Sequence, residues 1–251
     1  MNGYRGARYL IAGDRGISVE FGNALDEEIN RRVHKMMYAL KNAKIPGVIE
    51  TNPTIRSLFV YYDPLKTGVK ELVQKLRKIE ERMGDIKLPQ PRFFEIPVVY
   101  GGEYGPDLEL VAQLLDLTPE EIINIHSGKE YFIYDTGFIG GSAHFKIPPP
   151  LDSLPRKKTP NLGVPAGAVL MAGGLGSVFK PLPGPTGWYW VGTSPLRQWF
   201  PKKDPPLLIN PGDRIIYRPV DQEEFFRIKD LVDKGGYDPI LSRRNLKGTD
   251  Q

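Results

Sequence analysis

The chain has 251 residues, with 34 Lys plus Arg against 30 Asp plus Glu, 27 glycines, 24 prolines and no cysteine. The length allows one large domain or two of ordinary size, and 40% hydrophobic with 25% charged residues excludes disordered and collagen-like classes. Without cysteine there is no thiol nucleophile, redox pair, disulfide or thiolate zinc site, and a net charge of only +4, spread along the chain, argues against a nucleic-acid partner.

Residues Met1 to Arg8 lack the apolar stretch of a signal peptide, which points to the cytoplasm. Gly16 to Phe21 is a β-branched run, followed by a helix from about Glu27 to Lys44 whose Ile29, Val33, Met36, Met37 and Leu40 share one face. Ile45 to Thr51 and Ile55 to Tyr62 are predicted strands with Asn52 and Pro53 between them, and a second helix runs from about Thr67 to Met83. Phe93 to Tyr100 is a further strand. The order strand, helix, strand, strand, helix, strand is that of a ferredoxin-like α+β sandwich.

Beyond Tyr100 a short helix opens at Pro106. Thr118, Pro119 and Glu121 then form the capping box of another helix, which ends at Gly128. His126, near that helix end, is placed to offset the helix dipole as a cation. Short apolar runs follow at Tyr131 to Asp135, Ala168 to Ala172, Trp188 to Gly192, Leu207 to Ile209 and Ile215 to Arg218, with Pro and Gly between them, as in a small closed β-barrel. The longest uncharged run, Thr159 to Phe179, is broken by glycine and proline, so it reads as strands and turns and no membrane span is expected. The predicted domains are 1–90, 91–220 and a helix and polar tail over 221–251.

No phosphate-binding signature is present, and His34, His126 and His144 do not lie at metal-ligand spacing, so no metal site is expected in this chain. Gly173 and Gly174 are either a tight turn between barrel strands or part of an anion site. His144 lies in the flexible, glycine-rich loop from Gly140 to Phe145, where it is either solvated or catalytic. The segment Gly101, Gly102, Glu103, Tyr104, Gly105, Pro106, Asp107 sits between a strand and a helix. Its carboxylates either solvate the loop and complement the dipole, or handle a proton beside an anion held on backbone amides. Arg156, Lys157 and Lys158 form a basic run that is solvated or binds a carboxylate or phosphate. Trp188 and Arg197 belong to an aromatic and basic cluster ending at Phe200, half core and half ligand face or interface.

Taken in order, Gly13, Asp14, Phe21, Gly22, the stretch Ile96 and Pro97 to Asp107, Gly137, Phe138, Val164 to Gly167, Ala172 to Gly174, Gly187, Trp188, Gly192, Thr193 and Pro211 to Asp213 resemble the family of 5-oxoprolinase B-type subunits. That family is also described as allophanate hydrolase subunit 1, the Kip inhibitor of a sporulation histidine kinase, or a carboxyltransferase-type domain. The resemblance spans roughly residues 8 to 220. It implies an N-terminal α+β domain, a cyclophilin-like barrel, a C-type companion of related fold and a metal-dependent A-type subunit. The implied activity is opening of 5-oxo-L-proline to L-glutamate with ATP and Mg at the level of the complex, in which Glu103, Asp107 and His144 are the catalytic candidates. Gly101, Gly102, Tyr104, Gly105, Arg156, Gly173, Gly174, Trp188 and Arg197 are the binding candidates. A homo-oligomer, a histidine-kinase partner and an allophanate or urea carboxylase-type subunit are the alternatives. Against the family pattern, Ile139 to Ala143 follow the Gly-Phe pair, Leu175, Gly176 and Ser177 replace Gln-Thr-Gly, Ala168 replaces Ser and Asn161 replaces Arg.

Overall fold

The computed structural model describes residues 3–137 and 139–240; Met1, Asn2, Phe138 and the tail beyond 240 lie outside the described residues. The chain divides into two compact units, Met1–Gln90 and Pro91–Gln251.

In the first unit, strands β1 (Gly3–Ala12), β2 (Gly16–Gly22), β3 (Val48–Pro53) and β4 (Ser57–Tyr62) form an antiparallel sheet in the order β1-β2-β4-β3. Period-two alternation sends Ile17, Val19 and Phe21, with Leu58, Val60 and Tyr62, to one face. There they meet Ile29, Val33, Met36 and Leu40 of α1 (Glu27–Ala43) and Leu72 and Leu76 of α2 (Val69–Arg82). Asp26 caps α1 by accepting from the Glu28 and Ile29 amides. The predicted sandwich is corrected in its last strand: Phe93–Tyr100 is not in this sheet, and the edge beside β2 is taken by β1. The physical reason lies in burial, because residues 96–99 are buried in succession, as suits a strand covered on both faces. β1, mostly exposed and carrying Arg5 and Arg8, suits an edge; Ala7 N and the Tyr9 hydroxyl anchor it by donating to Glu80 of α2.

The second unit is built on a closed barrel. Its strands are β5 (Phe93–Tyr100), β6 (Glu130–Thr136), β7 (Ala143–Lys146), β9 (Ala168–Ala172), β10 (Leu175–Ser177), β12 (Tyr189–Thr193) and β13 (Arg214–Pro219), closing in the order β10-β7-β6-β13-β5-β12-β9. Only β5 and β13 pair in parallel. Ile96, Val98, Ile133, Phe145, Met171, Val191 and Tyr217 belong to the buried core. A separate ribbon, β8 (Asn161–Val164) with β11 (Gly184–Thr186), completes the strands. Helices α3 (Leu108–Leu115) and α4 (Pro119–Ser127) lie between β5 and β6 in the chain, and α5 (Gln222–Asp233) follows β13.

Three strand readings change, the first at Asn52 and Pro53, assigned above to the turn between two strands but paired within β3 with Phe59 and Leu58. Leu207 to Ile209 is not a strand but makes one bridge, Leu207 to Trp199, in a segment where Pro205, Pro206 and Pro211 remove amide donors. His144, assigned above to a loop, lies on β7. The uncharged run Thr159 to Phe179 contributes β8, β9 and β10, and among the described residues no helix is long and apolar enough to cross a membrane.

Candidate functional site

The turn after β5 is held tightly. Gly105 is required there because a Cβ would overlap the Val191 carbonyl of β12. The amides of Gly101, Tyr104, Gly105 and Asp107 donate to Val191, Gly101, Gly102 and Trp190 carbonyls respectively, so these four amides are taken by the chain itself. Tyr104 packs edge-on against Phe225, 5.3 Å between ring centroids, and its carbonyl accepts from Thr193 Oγ1. Glu103 is exposed, with no hydrogen bond or ion pair among the described residues.

Asp107 is 8% exposed and makes no capping bond to α3. Its Oδ1 accepts from Lys157 Nζ at 2.6 Å, and its Oδ2 accepts from Asn161 Nδ2 at 3.0 Å and Trp190 N at 2.9 Å. The carboxylate thus ties the start of α3 to β8 and β12. The carboxylate that the basic run was read to bind is therefore internal, and the Asn161 that departs from the family pattern is one of its donors. Gly173 and Gly174 form the two-residue turn joining β9 to β10, with φ of 59° and 80°. Positive φ at both positions is what a mirror-type hairpin turn demands. Gly173 N donates to the Leu154 carbonyl, so that amide is not free to hold a phosphate.

A second cluster forms across neighbouring barrel strands. Register places Asp135 of β6, His144 of β7, Ser177 of β10, Leu170 of β9 and Trp190 of β12 in one row. His144 Nδ1 lies 2.9 Å from Asp135 Oδ1, and the two side chains are 22% and 19% exposed. Such a contact fixes the ring and leaves Nε2 as the working nitrogen. Trp188 stands 5.6 Å from the imidazole, centroid to centroid. Ser142 and Ser177 hydroxyls meet at 2.8 Å beside the row. Arg156 is exposed, with its guanidinium next to Gly187, the residue before Trp188. Arg197 is elsewhere: it donates to Asp233 Oδ1 at 2.6 Å and lines a cavity of about 430 Å³ with Arg92, Leu208 and Tyr237.

His126 is not the helix-end cation expected from its position. It is fully buried, stacks on Tyr217 at 4.3 Å, has Nδ1 at 2.7 Å from the Tyr100 hydroxyl, and burial pushes its pKa down to about 3. The ring is neutral and belongs to the core.

The structure thus separates the candidates. Asp107 and Gly173 make bonds within the chain, Glu103 and Arg156 face solvent, and His144 with Trp188 forms a cluster. Two members of the second cluster's region carry no signal of their own in the sequence. Asp135 ends a predicted strand, where its pairing with β7 is invisible. Lys180 ends the uncharged run and is 8% exposed, with no ion-pair partner among the described residues. Also among the described residues, no group of three or more His, Asp and Glu side chains could hold a metal ion.

Comparison with known proteins defines the class first. Residues 7–209 match the family model described as carboxyltransferase domain, subdomain C and D. The B-type subunit of 5-oxoprolinase from Bacillus subtilis is 34% identical over 235 residues, covering 89% of this chain and 98% of that protein. The protein of the same name from Escherichia coli O157:H7 is 30% identical, covering 85% of this chain and 96% of that one. The chain belongs to the family of 5-oxoprolinase B-type subunits, within the carboxyltransferase-domain class. The fold also recurs in the urea carboxylase of Kluyveromyces lactis, with a TM-score of 0.77 at 21% identity over 94% of this chain and 23% of that one.

Proposed function

We propose that this chain is the B-type subunit of a cytoplasmic, ATP-dependent 5-oxoprolinase, which acts with C-type and A-type partner subunits to open the lactam of 5-oxo-L-proline to L-glutamate. The observation carrying this reading is the match, over nearly the whole length of both chains, to a bacterial protein of that name. The sheet order β1-β2-β4-β3 under two helices supports a ferredoxin-like type for the first unit, and the closed barrel supports a cyclophilin-like type for the second.

His144 is the proton-handling group on this reading, taking the role considered for Glu103. Its Nε2 accepts the proton of the attacking water and returns it to the departing lactam nitrogen, while Asp135 holds Nδ1 and keeps the ring oriented. Trp188 covers one side of the imidazole and excludes bulk water, and Arg156 offers an exposed cation close by. ATP with Mg would supply the phosphoryl group that activates the lactam oxygen; ring opening by one water then leaves an acyl phosphate, which a second water hydrolyses to glutamate and inorganic phosphate. The amides of Gly101, Tyr104, Gly105 and Gly173 are bonded within the chain and not open to that group, so it is assigned to the assembled complex and no step of this chain's part runs through it.

The test is glutamate release from 5-oxoproline, measured with this chain, both partner types and ATP in all combinations. Glutamate formed only with all components supports the reading. His144→Ala then lowers kcat by about 10²-fold or more, the range of a general acid–base group. A complex that assembles without turnover points to another lactam or amide. The family description itself favours one second reading, a carboxyltransferase part, which requires turnover to depend on a biotinylated partner.

A further inference from the structure

Three ordinary carboxylate or ammonium side chains are buried among the described residues: Asp107, Asp213 and Lys180. Asp107 holds Lys157, and Asp213 holds Arg92, each at 2.6 Å. Lys180 has no such partner among the described residues. Its backbone is pinned, since its N–H donates to Ala168 O and its carbonyl accepts from Gly167 N, both at 2.8 Å, so the side chain cannot leave by a local shift of the chain. β11 passes over the ammonium, where a Cβ at Gly184 would sit 3.8 Å from Nζ. Burial lowers the pKa of this lysine, as desolvation of an unpaired charge must.

The stem of Lys180 is buried while its Nζ, which has no partner among the described residues, keeps contact with solvent, so an anion entering from solvent can reach a partly desolvated cation there. The location favours the anion. Lys180 follows Ser177, the residue paired with His144, and precedes Pro181, which lies against Gly140 in the loop leading into β7. The strand ends gathered here are therefore those that carry the His144–Asp135 pair.

We propose that Lys180 is the binding cation for an oxyanion, a carboxylate or a phosphoryl group, of a small ligand that enters at the His144 end of the barrel. The identity of that ligand as 5-oxoproline rests on the function proposed above; the anion site itself rests on burial and on the lack of a counter-ion among the described residues. In that case the lysine fixes the substrate carboxylate while His144 works on the ring amide.

The experiment uses the full chain in three forms: wild type, Lys180→Met and Lys180→Arg. Binding of 5-oxoproline and of inorganic phosphate is measured by calorimetry, and the melting temperature is measured without ligand. The expected result is binding of at least one anion, weakened about 10-fold or more in Lys180→Met and largely retained in Lys180→Arg. The ligand-free Lys180→Met variant melts at the same or a higher temperature, because an uncompensated charge has been removed. Binding of 5-oxoproline but not phosphate identifies a carboxylate site, and the reverse a phosphoryl site. Failure of wild type to bind either anion, equal binding by Lys180→Met, or a marked drop in the melting temperature of ligand-free Lys180→Met overturns the inference. The two proposals fail separately. Phosphate binding lost in Lys180→Met alongside a complex that makes no glutamate leaves the anion site standing, whereas unchanged kcat/KM for 5-oxoproline in a Lys180→Met complex removes the anion site and leaves the functional reading in place.

Discussion

The Asp107 carboxylate takes hydrogen bonds from Lys157, Asn161 and the Trp190 amide in a setting where both charged side chains are at most 14% exposed. Removing one partner strands the other charge, which costs more than the pair itself contributes. Asp107→Ala is expected to lower the free energy of unfolding by about 3 kcal/mol in urea titration, and adding Lys157→Met is expected to recover most of the loss. His126 gives a different signature. Folded, the ring stays neutral down to about pH 3, whereas in the unfolded chain it takes up a proton near 6.5. Below pH 6.5 the unfolded state carries the additional proton, so stability falls as pH drops from 6.5 toward 3, by about 1.4 kcal/mol per unit from this group. His126→Gln, which keeps an acceptor for Tyr100, is expected to flatten that acid limb of the stability profile. At this scale sequence showed the residue types but not their partners: Asp107 and Lys157 are fifty positions apart, and nothing in either neighbourhood announces the other.

Among the elements, α4 is fixed by sequence at its first turn. The Thr118 hydroxyl accepts from Glu121 N while the Glu121 carboxylate accepts from Thr118 N, and hydrogen bonds to Thr118 lower the Glu121 pKa. Thr118→Ala is expected to destabilise the chain by about 1 kcal/mol and to raise amide exchange in residues 119–122 first. The capping box and the one-sided apolar faces of α1 and α2 are legible because their signals are local. β7 and β10 are not, because strands of four and three residues are too short to show alternation and owe their place to barrel closure. β1 escapes the pattern for the opposite reason, its exposed residues hiding a strand that Glu80 anchors from another element. The His144–Asp135 pair falls between these cases: His144 stands out by type, but Asp135 becomes its partner only through strand register.

For the molecule as a whole, each unit owns a hydrophobic core, with Leu72 and Leu76 buried in the first and Phe145 and Met171 in the second. Leu72→Ala leaves a cavity worth about 2–5 kcal/mol. Scanning calorimetry is expected to show its effect as a lowered melting transition for residues 1–90, with the transition of the barrel unmoved; a single transition shifted as one would show that the two cores melt together. The shift in proline usage hints at two differently built parts, but it does not reveal which of them receives Phe93–Tyr100.

The parallel pairing of β5 with β13 sets an order of events during synthesis. β13 lies between β5 and β6 in the closed sheet although some eighty residues separate β6 from it in the chain. While the ribosome is still adding residues 137–213, β5 and β6 each present an unpaired edge, the kind of surface on which nascent chains associate wrongly. The first unit has all its strands by residue 62 and both helices by residue 82, so it is free to fold while the barrel waits for the strand that seals it.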